Sequence, residues 1–243
     1  MNNLVSALVA AHRGQAATPD PESLPRDLAS AMRTQREVAV ALGARIAGWK
    51  LGFSADGTPV AGPLYEDVVQ ASPGVRSLPA RGFIVEIELA FRLARDLSPG
   101  VHTRDDVVDA IEEALVGIEL IRGRFGEPPT CAYHAFLADN LGNAGYVTGA
   151  STREFRQFDL KALRCTFEVD GKIVQNDVGG HPQGDPLAPL HAYANRQSDA
   201  IGGLKAGQVI TTGSLTKPYV IDRAARVEAN LENVGRVALT LRS

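Results

Sequence analysis

The sequence contains little cysteine, and this scarcity limits how the chain can be stabilised. It has two cysteines in 243 residues, Cys131 and Cys165, and they form no CxxC motif. A disulfide framework needs several cysteines in pairs, and a structural zinc site usually needs a CxxC-like pair. The two isolated cysteines therefore argue against both. We expect both cysteines to be reduced residues of the hydrophobic core.

Long apolar runs and long basic runs are also absent. No apolar run approaches the roughly 20 residues that a membrane-spanning helix needs, and the first segment, MNNLVSALVAAHRG, lacks the basic start of a signal peptide. The net charge is −3 without a basic cluster, and neither GxGxxG nor GxxxxGK[ST] occurs. We therefore expect a cytoplasmic protein without a membrane, nucleic-acid or nucleotide partner.

The hydrophobic pattern predicts a β-rich α+β fold rather than a doubly wound βαβ fold. Apolar residues recur at helical spacing near the start of the chain, whereas alternating segments gather in its middle and end. With 44% hydrophobic residues, the chain is long enough to bury one substantial core. We predict a single domain over residues 1–243, with a helical part over 1–46 and a catalytic β-rich core over 47–243.

Several individual elements follow from local patterns. Residues 54–62 are rich in glycine and proline and predict a loop over the substrate. An N-capping threonine and an apolar stripe predict a helix over 103–117, and a further helix is predicted over 187–200. The pair Asp170-Gly171 predicts a type I′ hairpin turn, which needs two positive φ angles.

The carboxylates carry the strongest chemical signal. The segment FIVEIELAFRLA alternates, so Glu86 and Glu88 lie on one face of a strand, with their Cα atoms roughly 7 Å apart. Two glutamates on a solvated strand would show the same pattern. However, Glu119 lies in the apolar run LVGIELI, where an uncompensated carboxylate is costly. Three carboxylates predict a divalent metal with hard oxygen ligands, Mg²⁺ or Mn²⁺.

These residues lie in segments that resemble a known family. VEIELAFRLARDL resembles the VExExAFVLxxDL signature of the 2-keto-4-pentenoate hydratase and 4-oxalocrotonate decarboxylase branch of the fumarylacetoacetate-hydrolase-like superfamily. The similarity covers roughly residues 47–216, in order and with spacing kept. Further matching segments are GWKLGF with GxKxGL, GPLYEDVV with GxLFxDM, GIELIRGRF with ALEVIDSRI, and LADNLGNAGYVTG with xADNxSSGGFVLG.

The resemblance implies a mixed-sheet roll of the fumarylacetoacetate hydrolase C-terminal-domain type, with an N-terminal helical segment. It implies Glu86, Glu88 and Glu119 as metal ligands and Lys50 as the catalytic cation beside the substrate. The substrate-binding residues that it implies are Lys50, Arg124, Asn140, Ser214 and Thr216.

The sequence also departs from the family pattern at two places. The chain is shorter after Lys50, and the acidic residue expected before the GxLF segment is missing, which leaves Glu66 and Asp67 as substitutes for the catalytic acid or base. Gly142 and Asn143 replace the two serines that follow the ADN segment. Both changes affect substrate identity more than metal binding.

The resemblance implies a lyase of aromatic-compound breakdown that hydrates a 2-hydroxy-2,4-dienoate to a 4-hydroxy-2-oxo acid. The alternatives are a 4-oxalocrotonate-type decarboxylase and a non-catalytic partner subunit of such an enzyme. An acylpyruvate hydrolase is disfavoured because no His–Glu pair occupies the N-terminal position that such enzymes share. The expected partners are a small 2-oxo or 2-hydroxydienoic acid, further copies of the chain in a homo-oligomer, and a homologous enzyme in a complex.

Overall fold

A computed structural model describes residues 3–128, 130–198 and 201–243 of the chain. Its helices are α1 (Asn3–His12), α2 (Leu28–Leu42), α3 (Arg104–Asp109), α4 (Tyr133–Ala138) and α5 (Ala188–Ala194). No helix among these residues is long and apolar enough to cross a membrane. Cys131 and Cys165 are both free, and Cys165 is buried.

Strands make up most of the remaining regular structure. They are β1 (Ile46–Phe53), β2 (Pro59–Tyr65), β3 (Val69–Ala71), β4 (Gly74–Ser77), β5 (Phe83–Leu93), β6 (Ile111–Ile121), β7 (Asn143–Thr152), β8 (Arg164–Val169), β9 (Lys172–Val178), β10 (Val209–Ser214), β11 (Tyr219–Ile221), β12 (Ala225–Leu231) and β13 (Gly235–Arg242). The helical start followed by a β-rich body confirms the α+β class. The division at residue 46 into parts of a single domain stays a prediction.

The described strands form two sheets. The larger sheet has the order β2-β1-β10-β5-β6-β7-β3, with β11 paired to β5, and the smaller has the order β4-β13-β12-β8-β9. Parallel pairs (β1 with β10, β3 with β7) stand beside antiparallel ones, so the large sheet is mixed, as predicted.

The large sheet curls, and β5 lies at its centre. On β5, Val85 and Ile87 are fully buried in the main hydrophobic core, on what we call the core face. The opposite face, the site face, carries Glu86 and Glu88. A small apolar cluster on the site face joins Leu64 of β2 to Tyr146 of β7, although four strands separate β2 from β7 in the sheet order. Strands β2 and β7 also approach each other directly, which requires the site face to be concave.

Two sequence predictions about local structure are wrong. Residues 54–62 do not form one loop, because β2 begins at Pro59 and pairs with β1 along its whole length. The helix predicted over 103–117 ends at Asp109, and β6 begins at Ile111. Since β6 pairs with β5 on one side and β7 on the other, nearly all its residues are buried, and its apolar positions also satisfy a helical spacing.

Other predictions are confirmed, although one helix is shorter than predicted. Asp170 and Gly171 have φ angles of 52° and 74°, as the predicted hairpin turn requires. Thr103 caps α3 by accepting a hydrogen bond from the backbone N–H of Asp106. The helix predicted over 187–200 is observed as α5, and its predicted last residue, Ala200, lies outside the described residues, as do Met1 and Asn2 of the predicted first helix.

Glycine is required where β1 meets β10. A Cβ atom on Gly48 would lie 2.0 Å from the carbonyl oxygen of Val209, its partner in the parallel pair. We expect Gly48→Ala to lower the free energy of unfolding by about 1–3 kcal/mol, because the two backbones must move apart. Gly52→Ala, on the same strand with open space around it, should change this free energy by less than about 1 kcal/mol. Denaturant unfolding measures both, and equal effects of the two substitutions would contradict the explanation.

His12 makes the stability of the helical start depend on pH. Its ring lies 5.4 Å from that of Tyr65, and burial, assisted by the positive charge of Arg124, lowers the pKa of His12 from 6.5 to about 3. The unfolded chain thus takes up this proton first, so the contribution of His12 is complete above pH 6.5 and is lost as the pH falls toward 3.

We expect His12→Phe to flatten the pH dependence of the free energy of unfolding between pH 6.5 and 4. Denaturant unfolding at pH 7, 5.5 and 4.5 measures this slope. His12→Asn is the control, because it should give the same shallow slope despite a different absolute stability. A variant slope equal to that of the original chain would show that His12 does not titrate in this range.

Candidate metal and substrate site

Three carboxylates converge on the site face of the large sheet. Glu86 of β5 lies directly opposite Glu119 of β6, and Glu88 lies opposite Gly117, so all three side chains share one face. One oxygen from each carboxylate lies within 4.8 Å of the others. Glu88 and Glu119 are fully buried, whereas Glu86 is partly exposed. The structure thus brings the three carboxylates together, and their role as metal ligands stays a prediction.

The cluster holds more negative charge than its surroundings compensate. Burial raises the pKa of Glu86 to about 7, with Lys50 opposing and Glu119 adding to this rise. Burial and the charge of Glu119 raise the pKa of Glu88 well above its ordinary value. In the absence of a cation, protons are thus favoured at both carboxylates of β5.

Lys50 supplies positive charge at this cluster. It lies on β1, and its Nζ is 2.8 Å from Oε2 of Glu119 and 3.5 Å from the carbonyl oxygen of Leu141. Burial alone would lower the pKa of Lys50, but the negative charges of Glu119, Glu86 and Glu88 raise it above its ordinary value. Lys50 is therefore a fixed cation, unable to accept a proton near neutral pH.

Neighbouring donors hold two of the carboxylates. The hydroxyl of Thr211, on β10, donates to Oε2 of Glu88, and the side-chain amide of Asn143 donates to Oε1 of Glu119 at 2.9 Å. Oε1 of Glu88 has no hydrogen-bond partner among the described residues. These contacts orient the carboxylates and leave at least one buried oxygen uncompensated.

Arg124 does not point a free guanidinium at the cluster. It forms an ion pair with Asp139 at 2.8 Å and donates to the carbonyl oxygen of Asn143 at 3.1 and 3.2 Å. Its predicted role in substrate binding stays a prediction, and its observed contacts hold the turn that carries Asn143. Asn140, in the same turn, is buried, and its side chain lies beside the hydroxyl of Tyr65, so its predicted role in substrate binding stays a prediction.

Ser214 and Thr216 lie beside Glu88 at the end of β10. Ser214 is paired with Glu88 across the sheet, and its hydroxyl donates to the carbonyl oxygen of Thr216 at 2.8 Å. The hydroxyl of Thr216 accepts from the backbone N–H of Ile87, between the two glutamates of β5, at 3.2 Å. Both hydroxyls thus border the cluster, as expected for residues near a substrate carboxylate.

Glu66 and Asp67 are not brought to the cluster. Both are exposed in a short 3₁₀ turn after β2, where Glu66 forms an ion pair with Arg45. They line a surface cavity of about 420 Å³ together with His12 and Arg13. Their predicted part in proton transfer stays a prediction that these positions do not favour.

The residues of the cluster fit a divalent cation. Three carboxylates supply hard oxygen ligands, and two of them are buried where an excess negative charge is costly. A cation bound by these carboxylates would partner Oε1 of Glu88 and offset the burial that raises the pKa values of Glu86 and Glu88. No cysteine or histidine belongs to this cluster, which favours a magnesium-like ion over zinc.

Sequence reasoning missed Thr211 and Tyr146 as members of the site. Both lie in apolar strand segments and are recognisable only through cross-strand pairing, Tyr146 with Glu119 and Thr211 with Ala90 beside Glu88. The sequence identifies Asn143 as a departure from the family pattern, but it does not predict the hydrogen bond from Asn143 to Glu119.

Two curated hydratases are similar to this chain in sequence. A 2-keto-4-pentenoate hydratase of Burkholderia vietnamiensis (strain G4 / LMG 22486) is 30% identical over 156 residues, 64% of this chain and 59% of that protein. Another, of Paraburkholderia phymatum (strain DSM 17167 / CIP 108236 / LMG 21445 / STM815), is 27% identical over 216 residues, 84% of this chain and 81% of that protein.

A solved structure shares the fold. The 4-oxalocrotonate decarboxylase from Pseudomonas putida G7, in complex with magnesium and adipate, superposes with a TM-score of 0.82 and 23% identity, covering 100% of this chain and 98% of that one. The profile named Fumarylacetoacetate (FAA) hydrolase C-terminal matches residues 29–242, almost the whole chain. The chain therefore belongs to the fumarylacetoacetate hydrolase C-terminal family.

Proposed function

We propose that the protein is a carbon–oxygen lyase that adds water to a 2-hydroxy-2,4-dienoate, of the 2-oxopent-4-enoate type, to form a 4-hydroxy-2-oxo acid. The observation that carries this proposal is the cluster of three carboxylates with Lys50 at its edge. The family and the hydratase names of its relatives support the same reaction.

Glu86, Glu88 and Glu119 would hold a divalent metal, Mg²⁺ or Mn²⁺. When bound, such an ion polarises the carboxylate and 2-oxo oxygens of a substrate and stabilises the negative charge that develops on them. Glu86 is partly exposed, whereas Glu88 and Glu119 are fully buried, which supports an open side of the site next to Glu86. The substrate would enter from that side.

The surrounding residues would bind and orient the substrate. Lys50 remains charged, so it neutralises one carboxylate of the cluster and attracts the anionic end of the substrate. The hydroxyls of Ser214 and Thr216 border the cluster beside Glu88, where they would donate to the substrate carboxylate. The side-chain amide of Asn143 donates to Glu119. It would therefore position this ligand, whereas the serines that the family carries after its ADN segment would donate to the substrate.

We expect chelator-stripped protein to regain hydratase activity on addition of Mg²⁺ or Mn²⁺, and Glu119→Gln to abolish that gain. The substitution removes a ligand and the ion-pair partner of Lys50, so metal affinity should fall by at least about 100-fold. Loss of dienol absorbance measures turnover of 2-hydroxypenta-2,4-dienoate, and isothermal calorimetry measures metal binding.

Glu113→Gln is the matched control for this experiment. Glu113 lies on the same strand but forms an ion pair with Arg92 away from the cluster, so metal binding and turnover should persist. Full activity of the chelator-stripped protein would contradict the proposed metal site. Metal binding without turnover by the purified chain would instead favour the non-catalytic partner subunit.

One observation favours a dicarboxylic substrate, and with it the 4-oxalocrotonate-type decarboxylase as second candidate. Arg122 directly follows β6, three residues after Glu119, and its backbone N–H donates to the carbonyl oxygen of Gly142 at 2.8 Å. Its Nε is buried without a partner among the described residues, whereas Arg124 is fully engaged. We propose Arg122 as the cation that would bind a second carboxylate, because of its unpartnered Nε and its position three residues after Glu119.

If Arg122 binds a second carboxylate, Arg122→Gln should raise the KM for 4-oxalocrotonate about tenfold or more, as loss of a charged hydrogen bond predicts. The KM for the monocarboxylic 2-hydroxypenta-2,4-dienoate should change less than about twofold, which makes that substrate the internal control. Steady-state assays with both acids, together with CO₂ release, measure this difference. Equal changes in both KM values would show that Arg122 acts on the site as a whole.

A further inference from the structure

Glu88 lacks a second hydrogen-bond donor. Its carboxylate is fully buried, Oε2 accepts from Thr211, and Oε1 has no partner among the described residues. A buried carboxylate keeps its charge only if donors or a cation compensate most of its lone pairs. A cation compensates the lone pairs that face it. The remaining lone pairs of the carboxylate still need hydrogen-bond donors from the protein.

Tyr146 places an unused donor at this carboxylate. The residue lies on β7, is 1% exposed, and packs with Leu64 and Leu115 in the apolar cluster of the site face. Its hydroxyl is buried without a partner among the described residues. Burial raises the pKa of Tyr146 well above its ordinary value, and the charge of Glu88 raises it further, so the hydroxyl keeps its proton.

Gly117 makes room for this hydroxyl. It lies on β6 directly opposite Glu88, and a Cβ atom there would be 2.1 Å from the hydroxyl oxygen of Tyr146. Any side chain at position 117 would therefore displace the tyrosine from the floor of the cluster. The absence of a side chain at position 117 thus lets the buried hydroxyl of Tyr146 lie beside the Glu88 carboxylate.

We propose that Tyr146 is a positioning residue of the metal site, whose hydroxyl donates to Glu88 together with that of Thr211 and holds its carboxylate toward Glu86 and Glu119. The inference rests on the proposed metal site and deepens it. In this proposal two side chains orient Glu88. Thr211 approaches it from β10, on one side of β5, and Tyr146 approaches it from β7, on the other side.

The test is a titration of the metal-free protein with Mn²⁺ alone, followed by the paramagnetic resonance signal of the free ion, between pH 5.5 and 8.5. We expect Tyr146→Phe to weaken Mn²⁺ binding about tenfold. It should also move the pH midpoint of binding upward, because a carboxylate that loses a donor holds its proton more tightly. The other charged groups that face Glu88, namely Glu86, Glu119 and Lys50, are unchanged in this variant.

Two further variants separate this role from simple packing. Thr211→Val should give a similar loss, and the double variant should lose less than the product of the two single losses, because both donors act on one carboxylate. Tyr219→Phe removes a hydroxyl from a tyrosine that packs on Phe167, on the core face, and should leave Mn²⁺ binding unchanged.

Affinity of Tyr146→Phe within twofold of the original chain at every pH would overturn the inference while leaving the metal site standing. An equal loss at every pH, with an unmoved midpoint and a lower melting temperature, would also overturn it, because that pattern reports looser packing. Absence of Mn²⁺ binding by the original chain would overturn both the inference and the proposed metal site.

Discussion

The structure depends on the burial of like charges in one small space. Glu88 and Glu119 are fully buried, Glu86 is partly exposed beside them, and Lys50 supplies positive charge to the cluster. Coulomb repulsion at such distances is strong in a protein interior, so the folded chain must bind protons or a cation there. Metal binding would release those protons, which couples the affinity of the site to pH and to folding.

The fold follows from what this cluster needs. Two long neighbouring strands, β5 and β6, bring the carboxylates into register, and further strands on both sides exclude water from their ends. The curl of the sheet closes the floor below them with Leu64 and Tyr146. A flat sheet would leave the same glutamates solvated, and then their charges would be compensated by water and would attract a metal only weakly.

Much of this arrangement was predictable because its signal is local. Strand alternation predicts that Glu86 and Glu88 share one face. The apolar neighbours of Glu119 predict a buried carboxylate, whose charge is costly to remove from water. The residues that escaped prediction depend on register between distant strands. Thr211 reaches Glu88 from a strand that is more than 100 positions away in sequence, and no local pattern reports that contact.

The same limit explains one wrong prediction near the site, the helix over 103–117, and one prediction that the observed positions do not favour, the acid–base role of Glu66 and Asp67. The segment from Ile111 onward satisfies a helical spacing, and only its pairing with two neighbours makes it a strand. Glu66 and Asp67 are close in sequence to the position where the family carries an acid, but the chain turns outward after β2 and gives Glu66 to Arg45. Where a strand ends in a turn, a position close in sequence to a site residue does not predict that its side chain reaches the site.

The turn after α4 shows how backbone strain serves the cluster. Asn140, Leu141 and Gly142 have φ angles of 55°, 54° and 70°, a left-handed run that is unfavourable for the first two residues. The ion pair of Arg124 with Asp139 holds one end of the run, and the bond from the N–H of Arg122 to Gly142 holds the other.

A relaxed turn would not present the same two groups to the site. The left-handed run turns the carbonyl oxygen of Leu141 toward Lys50 and delivers the amide of Asn143 to Glu119. Glu119 therefore receives a cation from β1 and a neutral donor from this turn, one at each oxygen. The strain is maintained because both contacts act on a buried carboxylate, where each hydrogen bond is worth more than it would be in water.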